Sequence, residues 1–166
     1  MIEGRRGSRL HATVVAIAML AACDTPTGVP GGYTSADETG IVRVRFGADP
    51  LRWHRDAWSL DSVRVDGDTL FLSVRHGGGC AQHGYALVAW NGWLESEPVQ
   101  ADVLLAHDAR DDPCDALLSP RLRFDLSPLR AAWTRDYGAE RGTIRLRITD
   151  PASPAFAPLV FLTWTF

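Results

Sequence analysis

The chain has 166 residues and a formal net charge of −3, enough for one ordinary domain with a proper core and without the basic surplus that nucleic-acid binding requires. All 17 basic residues are arginine, which excludes Schiff-base and lysine-nucleophile chemistry. No Gly-x-Ser-x-Gly elbow or other catalytic motif occurs, so the expectation is a protein that is not an enzyme.

The first element is an export signal. Arg5, Arg6 and Arg9 precede an uncharged, mostly apolar run over residues 12–22, and small residues close it. That order is the signature of secretion, and the run is far shorter than the roughly 20 residues a spanning helix needs. Leu20-Ala21-Ala22-Cys23 resembles the lipobox of bacterial lipoproteins. By that resemblance residues 1–22 are removed, and Cys23 becomes the lipidated N-terminus. Two or three acyl chains, at about 0.8 kcal/mol per buried methylene, then hold the protein to a membrane surface. The expected location is the cell envelope, on the periplasmic face of the inner or outer membrane or on the cell surface. Without residues 1–22, which carry three arginines and one glutamate, 144 residues of net charge −5 remain.

Residues 23–40 are rich in Pro, Gly, Thr, Ser and Asp and offer little to bury, so they read as a flexible tether. Residues 41–166 then read as a β-sandwich domain. Ile41 to Phe46 alternates apolar residues with arginine. Ser62 to Val65 and Thr69 to Val74 flank Asp66-Gly67-Asp68, a hairpin signal in which glycine supplies the positive φ of a tight turn.

A loop of unusual composition follows, His76-Gly77-Gly78-Gly79-Cys80-Ala81-Gln82-His83. The triple glycine is followed by no helix start, lysine or threonine, so it is a bend and not a phosphate cradle. The run from Gly84 to Trp90 leads to the turn signal Asn91-Gly92, and Val99 to His107 is the next strand. A second unusual loop, His107-Asp108-Ala109-Arg110-Asp111-Asp112-Pro113-Cys114-Asp115, lies at the same end as the first if the two strands are antiparallel neighbours.

With Cys23 assigned to lipid, Cys80 and Cys114 remain as a pair, and in an oxidising envelope a pair reads as a disulfide. Closing that loop contributes roughly 3 to 4 kcal/mol by the chain-entropy model. The alternative is a zinc site made of Cys80, His83, His107 and Cys114, a donor set that zinc accepts in tetrahedral geometry; without it, no cofactor is expected. The acidic residues Asp108, Asp111, Asp112 and Asp115 lack the spacing and glycine of a calcium loop and read as solvated.

Leu122 to Leu126 is followed by one short helix, with Ser127 as cap, Pro128 in the first turn and Gly138 as stop. Thr143 to Thr149 alternates Ile144, Leu146 and Ile148 with polar residues, and Leu159 to Phe166 closes the chain. The count is about eight strands, and the alternation is the half-solvated antiparallel pattern. The fold class is therefore all-β, an antiparallel β-sandwich with one short helix. The six tryptophans read as core, and His54 as surface or half-buried.

Four stretches taken together, Gly77 to His83, Glu95 to Gln100, Leu105 to Cys114 and Phe124 to Leu129, resemble bacterial envelope lipoproteins of the NigD-like kind across residues 62–149. The resemblance implies a C-terminal β-sandwich and a lipid anchor, and it implies no activity. The reading that results is a lipid-anchored binding or structural module, with the membrane and an envelope protein or glycan as partners.

Overall fold

The computed structural model describes Met1, residues 32–34 and residues 40–166. The signal, Cys23 and most of the tether lie outside the described residues. Two sheets face each other. The first has the order β1-β7-β4-β3, where β1 is Val42–Arg43, β3 Ser59–Asp66, β4 Thr69–Arg75 and β7 Arg121–Asp125. The second has the order β2-β5-β6-β8-β9, where β2 is Arg45–Phe46, β5 Gly84–Ala89, β6 Val99–Asp108, β8 Thr143–Thr149 and β9 Pro158–Thr165.

The all-β sandwich stands, but its sheets are mixed. The β1–β7, β2–β5 and β6–β8 pairs are parallel. Parallel neighbours require a crossover. The chain between β6 and β8 supplies one, because it leaves for the first sheet as β7 and returns through the helix α1, Ser127–Tyr137. The expected strand over residues 41–46 is two short ones. Arg43 pairs with Asp125 in one sheet and Arg45 with Val88 in the other, and Val44 is buried at the crossing.

Two of the remaining local signals, both glycines, act as their chemistry dictates. Asp66 pairs with Thr69 across a two-residue turn, with Gly67 at φ 54°. Gly138 stops α1 in the left-handed conformation, φ 66°. Ser127 does not cap the helix. Its N–H and Oγ–H instead donate to Asp125, and Leu126 occupies the cap without a side-chain bond.

The core lies between the sheets and includes Leu70, Leu72, Val74, Leu87, Leu105 and Phe124. Ile144, Leu146 and Ile148 are fully buried there. A second, smaller cluster on the outer face of the five-stranded sheet joins Ala86, Val88, Leu104 and Ala106 to Tyr33, Trp53, Trp90 and Phe156. The centre of this sheet is thus covered on both faces, which explains the continuous apolar run of β5. Of the six tryptophans only Trp164 is fully buried. Trp53 and Trp90 sheathe the outer face, and the indoles of Trp93 and Trp133 meet edge-on at 6.0 Å.

Three residues within the expected tether pack on this face. Thr34 exchanges two backbone hydrogen bonds with Tyr85, and Tyr33 lies edge-on to Trp53 with ring centroids 5.0 Å apart.

Candidate functional site: a buried histidine cluster beside the disulfide

The topology brings the two unusual loops to one end of the sandwich. The first runs from β4 in one sheet to β5 in the other, and the second returns from β6 to β7. Cys80 and Cys114 are joined by a disulfide there, with Cα atoms 5.7 Å apart. The four-residue zinc set of Cys80, His83, His107 and Cys114 is therefore not assembled. Its sulfurs bond to each other, and a disulfide sulfur is no thiolate donor.

The histidines of that set do meet, and a third joins them. His76 follows β4 and exchanges backbone hydrogen bonds with Leu118 at 3.2 and 2.9 Å. His83 precedes β5, and His107 on β6 stands opposite Tyr85. Their relative exposures are 5%, 4% and 1%. The His76 ring centroid lies 4.6 Å from that of His83 and 4.3 Å from that of His107. The Tyr85 ring stacks on His107 at 5.2 Å.

The surrounding acceptors assign the tautomers. His76 Nδ1 donates to the Gly77 carbonyl at 2.8 Å, and its Nε2 accepts from the Tyr85 hydroxyl. His107 Nδ1 donates to the Asp56 carbonyl at 3.2 Å. His83 Nε2 donates to Asp112 Oδ2 at 3.1 Å, and His83 Nδ1 faces His107 Nε2 at 2.8 Å. The line from Asp112 to Asp56 thus contains three contacts that each need a hydrogen, whereas two neutral imidazoles supply two. With both rings neutral, the contact left without one is that between the rings, where two nitrogens face each other.

Asp112 is the hub of both loops and not the solvated residue expected from its acidic surroundings. Its Oδ2 accepts from the backbone N–H groups of Gly79 (2.8 Å), Cys80 (3.0 Å) and Ala81 (2.9 Å), and its Oδ1 from Cys114 (2.9 Å). These donors, those of Ala81 and Cys114 foremost, hold its carboxyl well below the usual carboxylate range. Asp108 is buried as well.

Glycine makes the nest possible. Gly78 and Gly79 have φ of 144° and 119°, and a Cβ on Gly78 would lie 2.5 Å from His83 Nε2. Burial lowers the His76 imidazole, and burial with His76 alongside brings His107 down to about 4. His54, outside the cluster, is exposed, and its N–H donates to the Tyr33 hydroxyl at 2.8 Å.

Sequence reasoning singled out Cys80, His83, His107 and Cys114 but not His76 or the role of Asp112. The triple glycine was the available signal, because consecutive glycines before a cysteine leave a row of N–H groups for an anion.

The clefts on the surface of the described residues include two with polar linings. One, of about 290 Å³, is lined by Ala81, Gln82, His83, Tyr85, Leu118 and Pro120 among others. The larger, about 550 Å³, lies away from the histidines on the first sheet and carries Arg64, Phe71, Ser73, Arg121 and Arg123. The Arg64 guanidinium sits 3.6 Å over the Phe71 ring.

The fold has solved counterparts. A NigD-like immunity protein from Bacteroides caccae ATCC 43185 superposes with a TM-score of 0.52 at 14% identity, over 81% of this chain and 73% of that one. A protein of unknown function, DUF1344, from Bacteroides vulgatus ATCC 8482 gives a TM-score of 0.47 at 13% identity, over 81% and 67%. The first likeness shows a NigD-like fold, and the second is too distant to carry an argument. The sequence matches no protein-family model and no curated protein. Among the described residues no helix is long and apolar enough to cross a membrane.

Proposed function

We propose that the chain is an exported lipoprotein of the cell envelope, held by lipid on Cys23, whose β-sandwich acts by binding a partner and not by catalysis. The observation that carries this reading is the Cys80–Cys114 bridge, because a structural disulfide persists in oxidising compartments and not in a reducing cytosol. The basic, apolar, small-residue order of residues 1–22 and the lipobox-like Leu20 to Cys23 support it from the sequence side. The partner is a protein, in keeping with the immunity protein that shares the fold. Its place is the arginine-bearing cleft of the first sheet, where guanidinium groups suit the carboxylates of an acidic segment.

The test is to express the full chain in a bacterium fed an alkyne-tagged fatty acid. The tag is expected on the exported protein and is expected to vanish in Cys23→Ala. The two remaining cysteines should resist thiol reagents until reductant is added. An exported protein that carries no tag, or one whose remaining cysteines react freely without reductant, would overturn the reading.

A further inference from the structure

The three histidines share a feature that packing does not require. Each uses one ring nitrogen on a carbonyl or carboxylate oxygen: Gly77 for His76, Asp112 for His83 and Asp56 for His107. The other nitrogen of His83 faces that of His107 at 2.8 Å, that of His76 accepts from the Tyr85 hydroxyl, and one donor atom from each ring lies within 4.8 Å of the others. An outer hydrogen bond to a carbonyl or carboxylate that fixes the tautomer and turns the free nitrogen inward is the arrangement found around metal-ligating histidines.

We propose that His76, His83 and His107 form a binding site for a divalent late first-row cation of the zinc type, through His76 Nε2, His83 Nδ1 and His107 Nε2. Imidazole donors suit this class of ion. Zinc–nitrogen bonds of about 2.0–2.1 Å in tetrahedral geometry set donor atoms about 3.4 Å apart. The 2.8 Å between His83 Nδ1 and His107 Nε2 therefore opens by about 0.6 Å, within reach of small side-chain rotations. The ion would lie between these two facing nitrogens. For His76 Nε2 to bind, the Tyr85 O–H that it now accepts turns away, which leaves the hydroxyl oxygen for a fourth position, and the adjoining 290 Å³ cleft offers a way in.

This set differs from the two-cysteine set considered on sequence, since it leaves the disulfide intact. His76 and His107 reach it from opposite sheets, so the bound ion would tie the sandwich together at this end.

The test uses the full chain in detergent, oxidised, stripped with chelator and titrated with zinc chloride by calorimetry, with thiols counted before and after. One equivalent of zinc is expected, with Kd near or below about 1 µM and no free thiol released. Ring-nitrogen NMR signals of three histidines should shift on zinc addition. Cobalt(II) in its place should give the intense visible bands of a tetrahedral site. His76→Asn and Asp112→Asn, where folded by circular dichroism, should each weaken binding by about 10- to 100-fold, Asp112 acting only through its hold on His83. A folded wild-type chain that takes up no zinc, or takes it up only after reduction, or without moving the three ring signals, would overturn the proposal whether or not any variant folds.

Discussion

Replacing both Cys80 and Cys114 by serine isolates the contribution of the bridge. The cysteines are 34 positions apart, and releasing a loop of that size returns chain entropy worth about 4 kcal/mol at 25 °C to the unfolded state. The native loops have a second tie that does not depend on sulfur. The Asp112 carboxylate accepts from backbone N–H groups on both of them, at Gly79, Cys80, Ala81 and Cys114. The double variant is therefore expected to keep the fold, and the loss to arise in the unfolded chain. Equilibrium urea unfolding, followed by the fluorescence of buried Trp164, is the assay. At a slope of about 2 kcal/mol/M for a domain of this size, the midpoint should drop by about 2 M. A loss below about 1 kcal/mol, or a native spectrum already altered before urea is added, would refute the reasoning.

Gly78→Ala should destabilise by about 2 kcal/mol or more, since its φ of 144° and the 2.5 Å approach to His83 Nε2 leave no room for a Cβ; Gly77→Ala, with nothing within 4 Å, should cost under about 1 kcal/mol in the same unfolding assay. Leu104→Ala should cost about 2–5 kcal/mol although it lies on the outer face of its sheet, because that face is covered. Leu159→Ala, at 46% exposure, serves as its contrast. With chelator present, stability should fall with acid. His107 protonates near 4 in the folded chain against 6.5 when free, so the unfolded state gains its proton first. The contribution is whole above pH 6.5 and about 3 kcal/mol smaller at pH 4. Lowered His76 acts in the same direction, and depressed Asp112 extends the loss below the ordinary carboxylate range. A flat unfolding profile from pH 7 to 4 would contradict the burial of these rings.

Features that depend on neighbouring residues were legible in the sequence. The alternation of Ile144, Leu146 and Ile148, the turn at Gly67 and the helix stop at Gly138 each follow from local backbone chemistry. Features that depend on distant partners were not. Nothing in Val99 to Asp108 announces that it will lie parallel to Thr143–Thr149, because that pairing follows from the route of the intervening chain through the other sheet. Ile41 to Phe46 reads as one strand because alternation is blind to which sheet a residue joins. Ser127 looked like a cap until Asp125 was found to hold it. In the site, His83 and His107 stood out by their spacing from cysteine. His76 needed the third dimension, and Asp112 was hidden by its acidic neighbours, since its partners are main-chain groups that no side-chain pattern displays.

The crossing at Val44 has a mechanical consequence. At one end of the molecule, Val44 donates to Asp125 in the first sheet and Gly47 to Ala89 in the second, so four residues of chain latch the layers together. At the other end the latch is the disulfide, with Asp112 and the histidines beside it. With both ends latched, the layers are free neither to slide past each other nor to open like a book, and separation begins only after one latch has broken. A surface built across both layers would hold its shape under load, as the proposed binding role requires.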